Sequence, residues 1–142
     1  MDWKKEAIQS LRDYGLIQSG MESTYEQIKR MEESMTNASP KAGKIPVQAG
    51  TSTHEEKLVA NIAKLEELRK AYLDAKLHCN LVDKALGYLQ LEEGTILRSV
   101  YIEGLSPAEI AEKLNYSIQW IYSVRDRALR KYTLAYYGTI YT

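Results

Sequence analysis

The sequence predicts an all-α protein in which a long-helix hairpin or coiled coil is followed by a helix-turn-helix domain. Two long segments place apolar residues at alternating three- and four-residue spacing, which is the heptad pattern of packed helices. Near the C-terminus, two short helical patterns are joined by a tight turn. A strand is an alternative only for the tail, residues 136–142. We therefore divide the chain into a helical region, 1–90, and a C-terminal domain, 91–142.

The first helix is expected over residues 2–36. Its heptad seam consists of Ala7, Leu11, Tyr14, Gln18, Met21, Tyr25, Ile28, Glu32 and Met35. Gly15 and Gly20 each cost about 1 kcal/mol relative to alanine in the interior of a helix. A break between residues 15 and 20 is therefore an alternative to one continuous helix.

A loop is expected over residues 37–53, which hold two of the three prolines and show no hydrophobic periodicity. A loop of this length is typical of a mobile or functional segment. The second helix should begin at Thr53, because Thr53 and Glu56 have the spacing of a capping box.

The second helix carries an unbroken heptad seam. Its positions are Leu65, Leu68, Tyr72, Ala75, Cys79, Val82, Leu86 and Leu89. Two such helices joined by a loop most simply pair as an antiparallel hairpin, with Cys79 as a small buried hydrophobic residue. Association between chains through the same seams is the alternative, and we expect a homo-oligomer, with a dimer favoured.

The C-terminal domain begins with a helix expected over residues 91–103, and Gly104 ends it. Glu92 and Glu93 lie in the first turn of this helix, where acidic side chains suit the helix dipole. We expect both carboxylates to be solvated.

Two further helices complete the domain. Ser106 followed by Pro107 is typical of a helix start, and this helix should end near Leu114. After a turn, Ser117 is expected to cap a final helix that ends near Tyr136. The expected inward-facing residues of the two helices are Ile110, Leu114, Ile121 and Val124.

These two helices have the layout of a helix-turn-helix, whose second helix enters the major groove of DNA. Residues 117–138 carry four basic side chains and one acidic side chain, a net charge of +3. The whole chain is neutral, with 19 basic and 19 acidic residues, so this excess is local. A local basic excess at this position favours contact with DNA phosphates.

A set of spaced residues carries a resemblance to a known family. It consists of Leu97, Tyr101, Ile102, Gly104, Leu105, Ser106, Glu109, Ile110, Ala111, Leu114 and Ser117, followed by Arg127, Ala128, Leu129 and Lys131. This pattern resembles region 4 of bacterial sigma factors, which reads the promoter −35 element. The whole chain is similar to small phage and prophage regulators of the ArpU/RinA type, which act in late gene transcription.

The resemblance implies a DNA-binding surface on the final helix. The predicted DNA-binding residues are Ser117, Ile118, Gln119, Trp120, Tyr122, Ser123, Arg125, Arg127, Arg130 and Lys131. Those expected to contact bases are Ile118, Gln119, Tyr122 and Ser123. The basic residues and Ser117 are expected near the backbone, and Trp120 either contacts DNA or packs within the protein.

We therefore expect sequence-specific binding of double-stranded DNA in transcriptional regulation of phage or prophage genes, with RNA polymerase as a further possible partner. One alternative is a small terminase subunit, which joins a helix-turn-helix to helical oligomerisation segments and recognises a packaging site. Another is an adaptor that binds RNA polymerase but not DNA. The neutral charge and the lack of arginine in the first turns of the final helix favour the adaptor.

An enzyme, a metal site and a cofactor are not expected. The sequence has no Gly-rich phosphate loop, and His54 and His78 have no neighbours at ligand spacing. The single cysteine excludes an intrachain disulfide framework. No apolar run approaches the roughly 20 residues of a membrane span, and the N-terminus lacks an apolar signal core. We therefore expect a cytoplasmic protein.

Overall fold

A computed structural model of the chain describes residues 2–38 and 50–141. Within these ranges the backbone is almost entirely helical and contains no strand, which confirms the all-α class. The α-helices are α1 (Trp3–Ala38), α2 (Gly50–Gly87), α3 (Leu91–Leu97), α4 (Pro107–Leu114) and α5 (Ile118–Tyr137). None of the described helices combines the length and the hydropathy that crossing a membrane requires.

The first helix is more regular than its glycines suggest. α1 continues without interruption through Gly15 and Gly20, so the alternative of a break between them is wrong. Leu11 and Tyr14 in the adjoining turns are buried. Burial of a large apolar side chain contributes about 1.5–3 kcal/mol, which offsets the cost of about 1 kcal/mol for each glycine.

The predicted loop over residues 37–53 is wrong at both ends. α1 ends at Ala38, and α2 begins at Gly50 rather than Thr53. Residues 50–52 include no proline, so the helix of α2 can include them. The central part, 39–49, lies outside the described residues, as does the side chain of Thr53 on which the capping box depends.

The chain divides into two compact units. The first unit joins Met1–Gln18 to Leu77–Thr142, and the second unit is Ser19–Lys76. This division does not follow the predicted boundary at residue 90, because the first turns of α1 and the last turns of α2 share a core with α5.

The second unit contains the rest of α1 and of α2. The ring centres of Tyr25 and Tyr72 lie 6.0 Å apart, and Arg69 of α2 forms an ion pair with Glu32 of α1. The order of these residues along α1 is opposite to the order of their partners along α2. Leu65 is buried in this unit, as the heptad pattern predicts.

The larger core of the first unit joins α1, α2, α3 and α5. Its buried residues are Ala7, Leu11, Tyr14, Cys79, Val82, Ala85, Leu86, Leu97, Ala128, Leu129 and Tyr132. The hydroxyl oxygens of Ser10 and Tyr132 lie 2.8 Å apart, and the Tyr14 hydroxyl donates to Asp83 at 2.8 Å. The burial of Cys79 confirms its predicted role as a small core residue.

A smaller core holds α4 against α3 and α5. Its buried residues are Ile96, Ile110, Ala111, Ile121 and Val124. The predicted inward positions of Ile110, Ile121 and Val124 are confirmed. The inward position of Leu114 is wrong: its side chain is 37% exposed, because it ends α4 and lines an open cavity beside Tyr116.

The segment predicted as one helix over residues 91–103 consists of two parts. α-Helical hydrogen bonding ends at Leu97, and a π-helical turn follows over Arg98–Ile102. The backbone N–H of Glu103 donates to the carbonyl of Arg98 at 2.8 Å. Gly104 then has a φ of +76°, which a glycine adopts without strain, and ends the segment as predicted.

The tail contains no strand among its described residues. α5 continues to Tyr137, and a 3-10 turn spans Gly138–Tyr141. The strand alternative for residues 136–142 is therefore wrong for this part of the chain. The aromatic residues of this segment pack on α1 instead, with the rings of Trp3 and Tyr137 4.9 Å apart.

Replacement of Leu97 by alanine should lower the free energy of unfolding by about 2–5 kcal/mol, because a fully buried side chain is truncated and leaves a cavity. Leu91 lies in the same helix but is 89% exposed, so Leu91→Ala is the matched control and should have little effect. Urea denaturation followed by circular dichroism measures both values. Equal losses for the two variants would contradict the burial of Leu97.

Candidate nucleic-acid interface

Short-range hydrogen bonds fix the turn between α4 and α5. Ser106 Oγ and Ser117 Oγ each accept a bond at 3.1 Å from the backbone N–H three residues later, so both predicted caps are confirmed. Between the helices, Asn115 has a left-handed φ of +63°. The backbone N–H of Tyr116 donates to the carbonyl of Ala111 at 3.0 Å. The direction in which α5 leaves α4 is therefore defined locally.

One face of α5 remains in solvent. Exposed residues recur at three- and four-residue spacing along it, and we consider five of them, Gln119, Tyr122, Ser123, Asp126 and Arg130; Arg127, Lys131 and Leu134 of the same helix are exposed as well. The opposite face is buried in the two cores of the first unit. Because every one of these five side chains carries a hydrogen-bonding group, we call this surface the polar face of α5.

Arg125 lies at the edge of the polar face. Its guanidinium donates two hydrogen bonds to Asp126 Oδ1, at 3.0 and 3.2 Å. The same guanidinium lies 4.9 Å from the centre of the Tyr122 ring, within the range of a cation–π contact. The positive charge of Arg125 is therefore balanced locally, and its position supports the ring of Tyr122.

The carboxylate of Glu93 is buried beside α5. Its side chain is 0% exposed and accepts hydrogen bonds from Arg127 Nε at 2.9 Å and from Lys131 Nζ at 3.3 Å. The backbone N–H of Gln90 donates a third bond at 3.0 Å. The prediction of a solvated Glu93 is wrong because α5 covers it, whereas Glu92 is exposed as predicted.

These contacts determine the protonation state of Glu93. Burial by itself raises the pKa of the carboxyl group. The hydrogen bonds from Arg127, from the Gln90 backbone and from Lys131 outweigh this effect and lower the pKa from 4.5 to about 2. Glu93 is therefore ionised at neutral pH.

The net charge around α5 is consequently smaller than the +3 that residues 117–138 carry by themselves. Four basic residues and one acidic residue lie between 117 and 138, and the carboxylate of Glu93 adds a second negative charge, which leaves +2. The side chains of Arg127 and Lys131 remain about half exposed. Among the described residues, Arg130 has no ion pair, which distinguishes it from the other three basic residues of α5.

The start of α5 combines packing with exposed surface. Ser117 uses its hydroxyl to cap the helix, and Ile118 and Trp120 are half-buried against the smaller core. The ring of Trp120 stacks on Tyr116, with 4.1 Å between the ring centres. Ser117, Ile118 and Trp120 therefore have structural roles, and Gln119 is the exposed residue among the first three positions of α5.

Sequence reasoning missed the involvement of Glu93. The available signal was its position three residues after Gln90, which is the spacing of a capping box at a helix start. Nothing local indicates its pairing with Arg127, which lies 34 residues further along the chain. The pairing arises from the packing of α3 on α5.

The described residues show no arrangement suited to metal binding. No group of three or more His, Cys, Asp or Glu side chains lies close enough to hold an ion in this part of the chain. Burial raises the pKa of the Cys79 thiol, which disfavours the nucleophilic thiolate form.

Comparisons of this chain with protein-family models, with curated proteins and with solved structures find no significant match. The functional interpretation therefore depends on the geometry and the charges of α5 and its surroundings.

Replacement of Glu93 by glutamine should lower the free energy of unfolding by about 1–3 kcal/mol at neutral pH, because hydrogen bonds between charged groups are lost. The lowered pKa means that the carboxylate stabilises the fold fully above pH 4.5 and loses this effect as the pH falls toward 2. The stability difference between the wild type and Glu93→Gln should therefore shrink over this range, as urea denaturation at several pH values measures.

Glu92→Gln is the matched control, since it removes an exposed carboxylate from the adjacent position. It should change neither the stability nor its pH dependence appreciably. A stability difference for Glu93→Gln that stays constant down to about pH 2 would contradict the lowered pKa.

Proposed function

We propose that this protein binds double-stranded DNA sequence-specifically and regulates transcription. The observation that carries the proposal is the polar face of α5, which stays in solvent while α4 braces the opposite side of the helix. A short helix, a turn of three residues and a longer helix with such a face are the parts of a DNA-binding helix-turn-helix.

Gln119 and Ser123 are the best candidates for base recognition. They lie one turn apart on the polar face, in the N-terminal half of α5, which is the half that contacts base edges in a helix-turn-helix. A glutamine amide offers a donor and an acceptor to adenine in the major groove, and a serine hydroxyl can serve as either. The Tyr122 ring, supported by Arg125, offers apolar contact to a thymine methyl group.

The basic residues that follow are suited to phosphate contacts. Arg130 carries an uncompensated charge on the polar face, whereas Arg127 and Lys131 share the charge of Glu93. DNA affinity falls with salt in proportion to the number of phosphates that a protein neutralises. We therefore expect a shallow salt dependence and a large contribution from base contacts.

In a DNA-binding regulator, the long helices α1 and α2 are suited to oligomerisation or to binding a partner protein. In the second unit, the opposite order of the Tyr25–Tyr72 and Glu32–Arg69 contacts supports an antiparallel hairpin. A dimer would present two copies of α5 to half-sites about one helical turn apart. Together with the resemblance to phage and prophage regulators, this supports control of late gene expression, with RNA polymerase as a second partner.

A pull-down of fragmented source genome with the purified protein, at near-physiological salt, tests the proposal. Enrichment of one fragment upstream of a promoter is the expected result, and it would also supply the operator. Enrichment beside packaging genes, away from any promoter, would favour a small terminase subunit instead. No enrichment, together with no duplex binding at low salt, would contradict DNA binding.

An adaptor that binds RNA polymerase without DNA is the second candidate, and one observation favours it. Leu91, Leu114 and Tyr116 are exposed around a cavity of about 340 Å³ that Trp120 also lines. Exposed apolar patches of this kind are typical of protein interfaces. If the protein enriches no fragment and binds no duplex at low salt, this patch becomes the leading candidate interface.

Replacement of Gln119 by alanine should weaken binding to the enriched fragment by about 1–3 kcal/mol and should leave binding to a mixed-sequence duplex unchanged. The reason is that a base contact discriminates between sequences, whereas a backbone contact does not. Gln9→Ala is the matched control, because Gln9 is an exposed glutamine of α1. Fluorescence anisotropy measures both affinities, and equal weakening on the two duplexes would exclude base reading by Gln119.

A further inference from the structure

We propose that Lys4 of α1 and Arg130 of α5 together bind a phosphate group of the DNA backbone. The inference rests on the proposed function and deepens it, because it adds a contact residue from outside the helix-turn-helix. The two side chains line one cavity on the surface of the first unit.

The cavity has a size and a lining that suit a phosphate. Its volume is about 210 Å³, and it is lined by Lys4, Asp126, Leu129, Arg130 and Thr133. Since a water molecule occupies about 30 Å³ in the liquid, a phosphate group fits with part of its hydration. The Thr133 hydroxyl already donates to the carbonyl of Leu129 at 2.7 Å, so the available donors are those of Lys4 and Arg130.

The start of α1 is held at this position by contacts on either side of Lys4. The rings of Trp3 and Tyr137 lie 4.9 Å apart. Six residues after Lys4 in α1, Ser10 Oγ lies 2.8 Å from the buried hydroxyl of Tyr132. Lys4 is therefore positioned by packed neighbours in the same unit, and its place beside α5 does not depend on a loose chain end.

Two cationic side chains and one carboxylate line the cavity. Neither Lys4 nor Arg130 has an ion pair with any described residue. Asp126 also lines the cavity, but its carboxylate accepts two hydrogen bonds from Arg125 and balances that charge. Two cations that share a cavity repel each other, and an anion bound between them removes this repulsion.

The position of Arg130 along α5 favours a phosphate of the duplex over a free anion. Arg130 lies on the same face as Gln119 and follows it by eleven residues, which corresponds to about 16 Å along the helix. The major groove is about 12 Å wide. With Gln119 at the bases, Arg130 therefore reaches the backbone at the edge of the groove, and Lys4 lies beside it.

The test compares Lys4→Gln with Lys5→Gln. Both variants remove one positive charge from the first turns of α1, but Lys5 does not line the cavity. The probe is a mixed-sequence duplex of about three helical turns, or roughly 30 bp. Its affinity is measured by fluorescence anisotropy over a series of salt concentrations.

Lys4→Gln should weaken binding. It should also make the negative slope of log K against log salt shallower by about 1, because one phosphate contact is lost. Lys5→Gln should have a clearly smaller effect, and Lys4→Arg should retain binding. The double variant with Arg130→Gln should lose less than the sum of the two single losses, because both side chains share one phosphate.

Three outcomes would overturn the inference. Equal effects of Lys4→Gln and Lys5→Gln, with normal binding by the wild type, would remove the site and leave the proposed function intact. Stabilisation of the wild type by inorganic phosphate, lost in Lys4→Gln without any change in DNA affinity, would assign the cavity to a small anion. No binding of any duplex by the wild type would remove the proposed function and this site together.

Discussion

The buried carboxylate of Glu93 is the interaction on which the arrangement of the C-terminal helices depends. A charge with no exposed surface requires partners, because an uncompensated buried ion costs several kcal/mol. Arg127 and Lys131 supply these partners from adjacent turns of α5. The rotation of α5 about its own axis is therefore fixed relative to α3, since another rotation would leave Glu93 without its cations.

This rotation determines which side of α5 is left to a partner. Val124 turns into the smaller core and Tyr132 into the larger one, and the polar face that includes Gln119 and Ser123 stays in solvent. The same ion pairs lower the net charge near the helix. DNA binding by this protein would therefore depend on base contacts and on few phosphate contacts, and Lys4 would add to the latter from α1.

Helix caps and the buried face of each helix could be predicted from the sequence, and the contacts between particular residues of distant helices could not. The caps at Ser106 and Ser117 involve partners three residues away, so the local sequence pattern is sufficient to predict them. The burial of Glu93 depends on a helix that lies more than 30 residues further along the chain. The position of Lys4 beside Arg130 likewise requires the packing of α1 on α5, which no local pattern indicates.

Contact between the polar face of α5 and DNA can be measured by NMR titration of the isotope-labelled protein with a DNA fragment that it enriches from the source genome. If the polar face of α5 reads DNA, the amide chemical shifts that change most should belong to Gln119, Ser123 and their neighbours on that face. Changes confined to the apolar patch of Leu91, Leu114 and Tyr116, or no changes with excess duplex, would contradict DNA binding through the polar face.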